Sequence, residues 1–322
     1  MKAIRIHENG GPEVLRYEEV PIPAPGPAEA LVKIQASGVN FIDIYFRQGL
    51  YKAALPITLG QEAAGVVEKV GAEIKDLAPG DRVAYAGTPG AYAQYAAVPA
   101  ARLVKLPAGI DSRNAAAVML QGMTAHYLAT ATFPLEPGHT ALVHAAAGGV
   151  GLLLIQIAKM RGARVFGTVS TEEKAALARR AGADEVILYA SQDFEAEVRR
   201  LTSGVGVDVV YDSVALTTWE KSLRSLRQRG MLVLYGNSSG PAPAIDPLRL
   251  SQQGSLFLTR PKLGDYVATR QELLQRAGEV LDWVAAGRLH VHIGETFPLQ
   301  DAAQAQEALA GRRTAGKVLL IP

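Results

Sequence analysis

The sequence predicts an α/β protein in which a doubly wound parallel sheet is inserted into a barrel-like β domain built from both ends of the chain. Residues before about Asp111 form short strand-like runs punctuated by Gly and Pro, whereas later residues alternate between apolar strands and helices. Such alternation is typical of a parallel sheet with helices on both faces. We therefore expect one domain over residues 1–122 and 267–322, and a second over residues 123–266.

The composition narrows the possible functions. The chain has 322 residues, of which 48% are hydrophobic and 20% charged, enough apolar material for two cores. A dispersed net charge of +2 argues against nucleic acid and anionic membranes as partners. There is no cysteine, which excludes disulfides and cysteine-ligated zinc and is compatible with a reducing cytoplasm. No window approaches the ~20 apolar residues that span a bilayer.

The individual elements follow from periodicity and turn residues. In the first part, the predicted strands are "ALVKIQASGV", "AAGVVEKVG", "DRVAYAG" and "YAQYAAVP", with turns such as "APGD". In the second part, the predicted strands are "TALVHAA", "ARVFGTV", "EVILYA", "VDVVYDSV", "MLVLYGN" and "SLFLT". The helices between them are "GVGLLLIQIAKMRG", "STEEKAALARRAG", "DFEAEVRRLTSG" and "TTWEKSLRSLRQRG". A capping box of Ser170 and Glu173 is expected to start the second helix. A long helix, "TRQELLQRAGEVLDWVAAG", precedes the final strands "HVHIGETFPL" and "GKVLLIP".

A glycine-rich stretch, "HAAAGGVG" at residues 144–151, stands between an apolar strand and an apolar helix. It matches G-x-G-x-x-G except that Ala146 replaces the first glycine, a position that then has to avoid positive φ. In this context glycines let the backbone approach a pyrophosphate at the helix N-terminus. We predict that Gly148, Gly149 and Val150 bind a dinucleotide. The alternative is a small-residue turn without a ligand.

The choice of dinucleotide depends on the end of the next strand. An NAD site usually has an acidic residue ~20 residues beyond the glycines, and that count reaches Thr168, in a segment without acids. Ser170 offers a hydroxyl instead, and the ammonium of Lys174 is placed to reach a 2′-phosphate. The sequence therefore favours NADPH over NADH. The alternative for Lys174 is an exposed helix lysine with no ligand.

Two stretches of the first domain, "GVNFIDIYFRQGLY" and "LGQEAAGVVEKVG", resemble signatures of the medium-chain dehydrogenase/reductase superfamily. In zinc-dependent members these stretches carry a cysteine and a histidine ligand, at positions held here by Asn40 and Gln61. The six histidines are scattered. His290 and His292 are predicted to share a strand face, but a pair alone is more often a solvated surface than a metal site. The resemblance therefore implies a member without a metal.

The stretches "NFIDIYFRQGLY", "HAAAGGVG", "YDSV", "LYGNSSG" and "GKVLLIP" narrow the resemblance to the NADPH:quinone oxidoreductases of the zeta-crystallin branch, over the whole chain. This implies a GroES-like β-barrel catalytic domain and a Rossmann domain that binds NADPH. It also implies cofactor contacts along the chain. The implied contact residues are Asn40, Phe41, Ile42, Asp43, Tyr45, Tyr127, Gly149, Val150, Ser170, Lys174, Tyr189, Tyr235, Gly236, Asn237, Ser238 and Arg312.

The predicted activity is metal-free hydride transfer from NADPH to a quinone in the cleft between the domains. Loops at residues 212–214 and 236–240 should leave the carboxyl edge of the sheet near the nicotinamide, which places Val214 beside the cofactor. Asn40, Tyr45 and Tyr51 are candidates to bond the acceptor oxygen, and water can supply the proton. Asp43 is a catalytic candidate too, although its carboxylate could equally hold local structure.

Two other functions fit the same sequence. One is NADPH-dependent reduction of activated alkenes such as enones or acrylyl thioesters, which needs the same hydride geometry. The other is a non-catalytic NADPH-binding or RNA-binding role, which would need a basic stripe with interleaved aromatic residues. The basic segments "RRLTSG" and "KSLRSLRQRG" instead resemble solvated helix faces.

The segment Ser255–Thr259 is short and apolar and follows a long connection, so we expect it at the edge of the parallel sheet. Proteins cover or pair such edges. Pairing with the same strand of a second chain predicts a homodimer. The alternative is that the long helix from Thr269, or a loop, covers the edge.

Overall fold

The computed structural model describes residues 1–322 and divides into two compact units. Unit 1 comprises Met1–Met123 and Tyr266–Pro322, and unit 2 comprises Thr124–Asp265. Each unit combines strands with helices, which confirms the predicted α/β class. No helix has both the length and the apolar character needed to cross a membrane.

The strands are β1 (Lys2–Ile6), β2 (Arg16–Glu19), β3 (Glu29–Val39), β4 (Ile57–Thr58), β5 (Glu62–Val70), β6 (Arg82–Ala86), β7 (Tyr95–Pro99), β8 (Val104–Lys105), β9 (Thr140–Val143), β10 (Arg164–Val169), β11 (Glu185–Leu188), β12 (Val207–Asp212), β13 (Leu226–Leu234), β14 (Phe257–Thr259), β15 (Ile293–Pro298) and β16 (Lys317–Ile321). The helices are α1 (Phe41–Arg47), α2 (Ser112–Tyr127), α3 (Gly149–Met160), α4 (Glu172–Arg180), α5 (Phe194–Leu201), α6 (Trp219–Arg224), α7 (Leu248–Gln252), α8 (Leu263–Tyr266), α9 (Arg270–Ala285) and α10 (Ala302–Ala310).

Unit 1 contains two β-sheets whose strands are mostly antiparallel. The larger sheet has the order β15-β16-β3-β5-β6-β8, with β7 also paired to β3, and the smaller has the order β2-β1-β4. The C-terminal strand β16 pairs with β3, so the two ends of the chain share one sheet as predicted. Inward-facing residues such as Val32, Val67 and Tyr85 form one buried apolar core, and Ile4, Tyr92 and Leu320 belong to a second. Burying this apolar surface stabilises the unit by roughly 25 cal/mol per Å².

Unit 2 is a six-stranded parallel sheet with the order β11-β10-β9-β12-β13-β14. Counted along the unit, this is the order 3-2-1-4-5-6 of the doubly wound dinucleotide-binding fold. The central strands are apolar on both faces, as a sheet covered by helices on both sides requires. Since all six strands run the same way, the loops that follow them meet at one edge of the sheet.

Three local expectations were wrong. Thr171, not Ser170, caps α4, because its hydroxyl accepts the Lys174 N–H, so the capping box of Ser170 and Glu173 does not form. Helix α6 ends at Arg224, and "LRQRG" belongs to β13. His290 and His292 precede β15 and do not share a strand face.

The segment predicted to form an edge strand, residues 255–259, contains β14, which is at the edge of the parallel sheet of unit 2. Strand β14 pairs only with β13, and the side chain of Phe257 is 57% exposed.

Candidate functional site

The glycine-rich loop connects β9 to α3. Gly148 is the N-cap residue of α3 and provides no side-chain cap, so the first N–H groups of the helix are free to bind an anion. The left-handed residue of the loop is Ala145, with φ of 49°, whereas Ala146 avoids positive φ as expected. The Ala146 N–H donates to the Thr168 carbonyl over 3.0 Å, which joins the loop to β10.

Glycine is needed in this loop for reasons of space. A Cβ on Gly151 would lie 2.4 Å from the Ala145 carbonyl oxygen, and one on Gly148 would lie 3.1 Å from it. The absence of side chains therefore lets α3 begin close against the loop. Small residues with free N–H groups at a helix N-terminus fit the pyrophosphate of a dinucleotide, with Gly149 and Val150 in the first turn of α3.

Next to the loop, the ends of β10 and β11 hold three of the predicted contact residues. Ser170 directly follows β10, Lys174 lies in the first turn of α4, and Tyr189 directly follows β11. The Tyr189 N–H donates to the Val169 carbonyl over 3.1 Å, so these residues are neighbours. The carboxylate of Glu173 bonds its own backbone N–H and the Thr171 hydroxyl, which lowers its pKa.

Thr168 does not take the place of the missing acidic residue. Its side chain is buried and lies 2.9 Å from His144 Nδ1 instead of facing outward. The residue available at the end of β10 is therefore Ser170, which is half-buried.

The loops after β12 and β13 are tied together. The Ser238 N–H donates to the Ser213 carbonyl over 3.0 Å, and the Tyr235 N–H to the Asp212 carbonyl over 2.9 Å. The Asp212 carboxylate accepts the Val214 N–H over 2.8 Å. A Cβ on Gly236 would lie 2.6 Å from the Ser213 carbonyl oxygen, so this approach too requires glycine. The predicted residues Val214 and 235–238 are thus brought to one place at the carboxyl edge.

Under this edge, buried side chains form a series of hydrogen bonds that the sequence did not predict. His144 Nε2 lies 3.0 Å from Ser222 Oγ, and the Ser222 hydroxyl donates to Asp212 Oδ2 over 2.8 Å. Because Ser222 gives its only proton to the carboxylate, it accepts the N–H of His144 Nε2. His144 Nδ1 then accepts the proton of the Thr168 hydroxyl. Burial lowers the pKa of His144, which favours this neutral tautomer.

In unit 1, the predicted residues gather on α1. The backbone N–H of Asn40 donates to Asp43 Oδ2 over 2.9 Å, and the two residues form a capping box at the start of the helix. The Tyr92 hydroxyl donates to the same oxygen over 2.8 Å. Asp43 Oδ1 is buried without a partner. Burial, opposed by these hydrogen bonds, raises the pKa of Asp43 to about 7.

Aromatic rings cluster on α1 and just after it. The ring centroids of Tyr45 and Tyr51 are 5.4 Å apart in an edge-to-face arrangement, and those of Phe41 and Tyr45 are 6.2 Å apart. Such pairs stabilise each other by about 0.5–1.5 kcal/mol beyond their buried area. Ile42 is half-buried beside them.

Two predicted contact residues lie outside these groups. Tyr127 is the buried last residue of α2, and Arg312 is an exposed residue in the turn after α10, with φ of 57°.

A buried network surrounds the side chain of Asn40. Its Nδ2 donates to Glu62 Oε2 over 2.9 Å and to the Gly38 carbonyl over 3.2 Å. Its Oδ1 accepts from Lys317 Nζ over 2.8 Å and from Gln121 over 3.2 Å. Lys317 and Glu62 are fully buried and paired with each other. Both amide protons of Asn40 are therefore committed to protein acceptors.

This donor set does not suit zinc. Asn40 and Gln61, at the two ligand positions of the zinc-dependent enzymes, are neutral amides, and the oxygen of Asn40 already accepts from a cation. Zinc in proteins is bound by thiolate, imidazole and carboxylate groups. No group of three or more His, Asp, Glu or Cys side chains is placed to hold a metal ion.

Comparison with known proteins agrees with this architecture. Residues 26–108 match the alcohol dehydrogenase GroES-like domain, and residues 149–279 match the zinc-binding dehydrogenase model. The chain is 48% identical to a quinone oxidoreductase of Pseudomonas aeruginosa over 323 residues, covering 100% of this chain and 99% of the relative. The chain belongs to the quinone oxidoreductase family.

Other members extend the comparison. A 2-haloacrylate reductase of a Burkholderia species is 45% identical, covering 98% of each chain. The structure of an Escherichia coli quinone oxidoreductase complexed with NADPH superimposes with a TM-score of 0.98 at 44% identity, covering 100% of both chains. The family assignment confirms the predicted resemblance and the pairing of a GroES-like with a Rossmann domain.

Proposed function

We propose that this protein is an NADPH-dependent quinone reductase. The observation that carries the proposal is the glycine-rich loop and uncapped N-terminus of α3, in a chain that superimposes over its whole length on an NADPH-bound quinone oxidoreductase. When bound, NADPH supplies a hydride, and one proton from solvent completes the two-electron reduction of a quinone to a quinol.

Each segment of the carboxyl edge of unit 2 has a proposed role toward the cofactor. The first turn of α3 binds the pyrophosphate through backbone N–H groups and the helix dipole. Ser170 and Lys174 bind the 2′-phosphate, since residues 167–170 at the end of β10 include no acid to repel it. The loops at 212–214 and 235–238 hold the nicotinamide half. Beneath it, His144 links the end of β9 to Thr168 of β10 and, through Ser222 of α6, to Asp212 of β12.

On unit 1, we assign the tyrosines of the α1 region to the acceptor. Tyr45 and Tyr51 carry hydroxyl groups that can donate to a quinone oxygen as negative charge develops on it. Asn40 acts through its backbone and the buried network, because its amide has no proton left for a substrate. Asp43 holds the start of α1 through the Asn40 N–H and the Tyr92 hydroxyl.

A second function is favoured by one relative. The 2-haloacrylate reductase shares 45% identity with the chain. Reduction of an activated alkene uses the same hydride donor and differs in where the proton is added, at carbon instead of at oxygen.

The two functions are separated by following NADPH oxidation with 1,4-benzoquinone, 2-cyclohexenone and 2-chloroacrylate, with NADH as the alternative donor. We expect turnover with the quinone and preference for NADPH. Tyr45→Phe and Tyr51→Phe should lower kcat, whereas Tyr17→Phe, an exposed tyrosine on β2, should not. Turnover confined to 2-chloroacrylate would replace quinone reduction by alkene reduction, and no turnover with any acceptor would reject both.

We further propose that the chain forms a homodimer through residues 255–259. Strand β14 is an edge strand with an exposed Phe257 and no Pro or charge within it. Light scattering at micromolar concentration should give twice the mass of one chain, and Phe257→Lys should give the mass of one. A monomeric wild type would reject the dimer.

We also propose a cytoplasmic location, which the lack of cysteine supports.

A further inference from the structure

Strand β13 departs from regular pairing close to its start. Val207 pairs with Leu226, and the next pair is Val209 with Met231. Four residues, 227–230, therefore lie on β13 opposite the single residue Asp208 on β12. A bulge of this kind turns side chains away from their ordinary directions and is enriched next to functional sites.

The bulge holds Arg229 in the left-handed region, with φ of 57°. Its N–H donates to the Gly254 carbonyl over 2.8 Å, which fixes this conformation. Glycine would adopt such a backbone without strain, but the chain has an arginine here. Strained non-glycine residues persist where the surroundings hold them and are concentrated at binding sites.

The bulge forms one wall of a pocket of about 520 Å³. Three arginines, Arg199, Arg227 and Arg229, line it together with the apolar residues Val205 and Leu226. None of the lining residues is acidic, and the Asp208 carboxylate pairs with Arg227 over 2.6 Å. Three positive charges against one negative leave the pocket with an excess of two positive charges.

The three arginines differ in what they can offer to a ligand. Arg199 donates to four backbone carbonyls, those of residues 204, 205, 224 and 226, and so forms a fixed part of the wall. Arg227 donates through Nε and Nη1, which leaves Nη2 available. Arg229 is exposed and has no partner for its guanidinium group.

A polar atom in the same pocket also lacks a partner. Gln253 Oε1 is buried and accepts no hydrogen bond. A buried acceptor without a donor costs free energy, and rotation of the Gln253 side chain into the pocket would let a ligand hydroxyl satisfy it. The pocket therefore combines donors for an anion with an acceptor for a hydroxyl.

This pocket is separate from the cofactor loops. Residues 204 and 205 precede β12, Arg227 and Arg229 are in the first part of β13, and Gln253 precedes β14. All are at the amino ends of parallel strands, whereas the glycine-rich loop and residues 235–238 follow the carboxyl ends. The two sites are on opposite edges of the sheet.

We propose that this amino-edge pocket binds a small, multiply charged anion that carries a hydroxyl group. Arg229 and Nη2 of Arg227 bind its anionic oxygens, and Gln253 Oε1 accepts its hydroxyl proton once this side chain has turned into the pocket. The chemical class includes hydroxy-tricarboxylates and phosphorylated polyols.

Calorimetric titration of the full chain with citrate, at constant ionic strength, tests the proposal. We expect saturable binding at one site per chain. Tricarballylate, which has the same three carboxylates but no hydroxyl, should bind several-fold more weakly. Arg229→Gly should weaken citrate at least ten-fold while the melting temperature stays at or above that of the wild type, since glycine relieves the left-handed backbone. Arg180→Gln, an exposed arginine at the end of α4, and Lys174→Ala should leave the affinity unchanged.

Three results would overturn it. Heats that do not saturate, or that fall equally in Arg229→Gly and Arg180→Gln, would show that citrate acts as bulk electrolyte. Loss of citrate binding in Lys174→Ala would place the anion at the carboxyl edge. Equal affinities for citrate and tricarballylate would reject the hydroxyl contact and with it the proposed ligand class.

Discussion

Replacing Asp43 with asparagine should change how the stability of unit 1 depends on pH. The native pKa of Asp43 is about 7, against an ordinary value of 3.8, and desolvation is the main cause. Because the folded state keeps the proton to higher pH than the unfolded state, Asp43 stabilises the fold most below pH 3.8. That contribution is lost as the pH rises through about 7.

The size of the effect follows from the pKa difference. Roughly three pH units at 1.36 kcal/mol each give a loss of about 4 kcal/mol between acid and mildly alkaline conditions. In Asp43→Asn the amide oxygen still accepts the Asn40 N–H and the Tyr92 hydroxyl, and nothing ionises. Its NH₂ group, placed where Oδ1 has no partner, costs about 1–3 kcal/mol at every pH. The stability of the variant relative to the wild type should therefore rise by about 3 kcal/mol between pH 5 and pH 8.5, and the variant should be equally or more stable at pH 8.5.

Urea unfolding followed by tryptophan fluorescence measures this difference. Trp283 is in unit 1 and Trp219 in unit 2, so a Trp219→Phe background reports unit 1 alone. Asp81→Asn is the control: hydrogen bonding to Lys105 lowers the pKa of Asp81, so its effect on stability should be constant over the same range. A free-energy difference between Asp43→Asn and wild type that does not vary between these pH values would refute the reasoning.

Three further predictions follow from the same contacts. Lys174→Ala should weaken NADPH about ten-fold or more and leave NADH nearly unchanged in fluorescence titrations, since a charge-assisted phosphate contact contributes about 1.5–3 kcal/mol; equal losses for both would exclude the 2′-phosphate role. Gly151→Ala should weaken NADPH and lower the melting temperature because its Cβ would overlap the Ala145 carbonyl, whereas Gly278→Ala, where the new Cβ meets nothing, should not. Lys317→Met should cost about 3–5 kcal/mol in urea unfolding by leaving the Glu62 carboxylate buried and unpaired, and adding Glu62→Gln should restore part of it; no restoration would mean that packing, not charge, explains the loss.

Much of the fold could be predicted because its signals are local. The strands and helices of unit 2 follow from apolar runs and turn residues, and the edge position of β14 follows from its place in the order. The errors also have local causes. Ser170 and Thr171 are adjacent hydroxyl residues, and three-residue spacing to an acceptor does not decide which one becomes the N-cap. The segment "LRQRG" has helical composition, but pairing with β12 and the bulge make it strand.

In the candidate site too, the local features could be predicted and the long-range contacts could not. The glycine-rich loop could be predicted because its glycines and the strand and helix that flank it form one continuous stretch of sequence. The His144 chain could not, because Thr168 and Ser222 are 24 and 78 residues away from His144 and meet it only after the sheet forms. No periodicity marks such contacts. The sequence offered one signal for these contacts. His144 directly follows an apolar strand, and Asp212 ends a second apolar strand.

The side-chain amide of Asn40 is fully used within the protein. The motif "NFIDIYFRQGLY" places Asn40 among residues that would bond the acceptor, yet both of its amide protons are bonded to Glu62 and Gly38. A substrate could take one of them only by leaving the buried Glu62 carboxylate with one donor fewer, which costs more than a neutral hydrogen bond to the substrate returns. Asn40 therefore holds the start of α1 through its backbone bond to Asp43, and under the proposed function the hydrogen bond to the acceptor is left to Tyr45 and Tyr51.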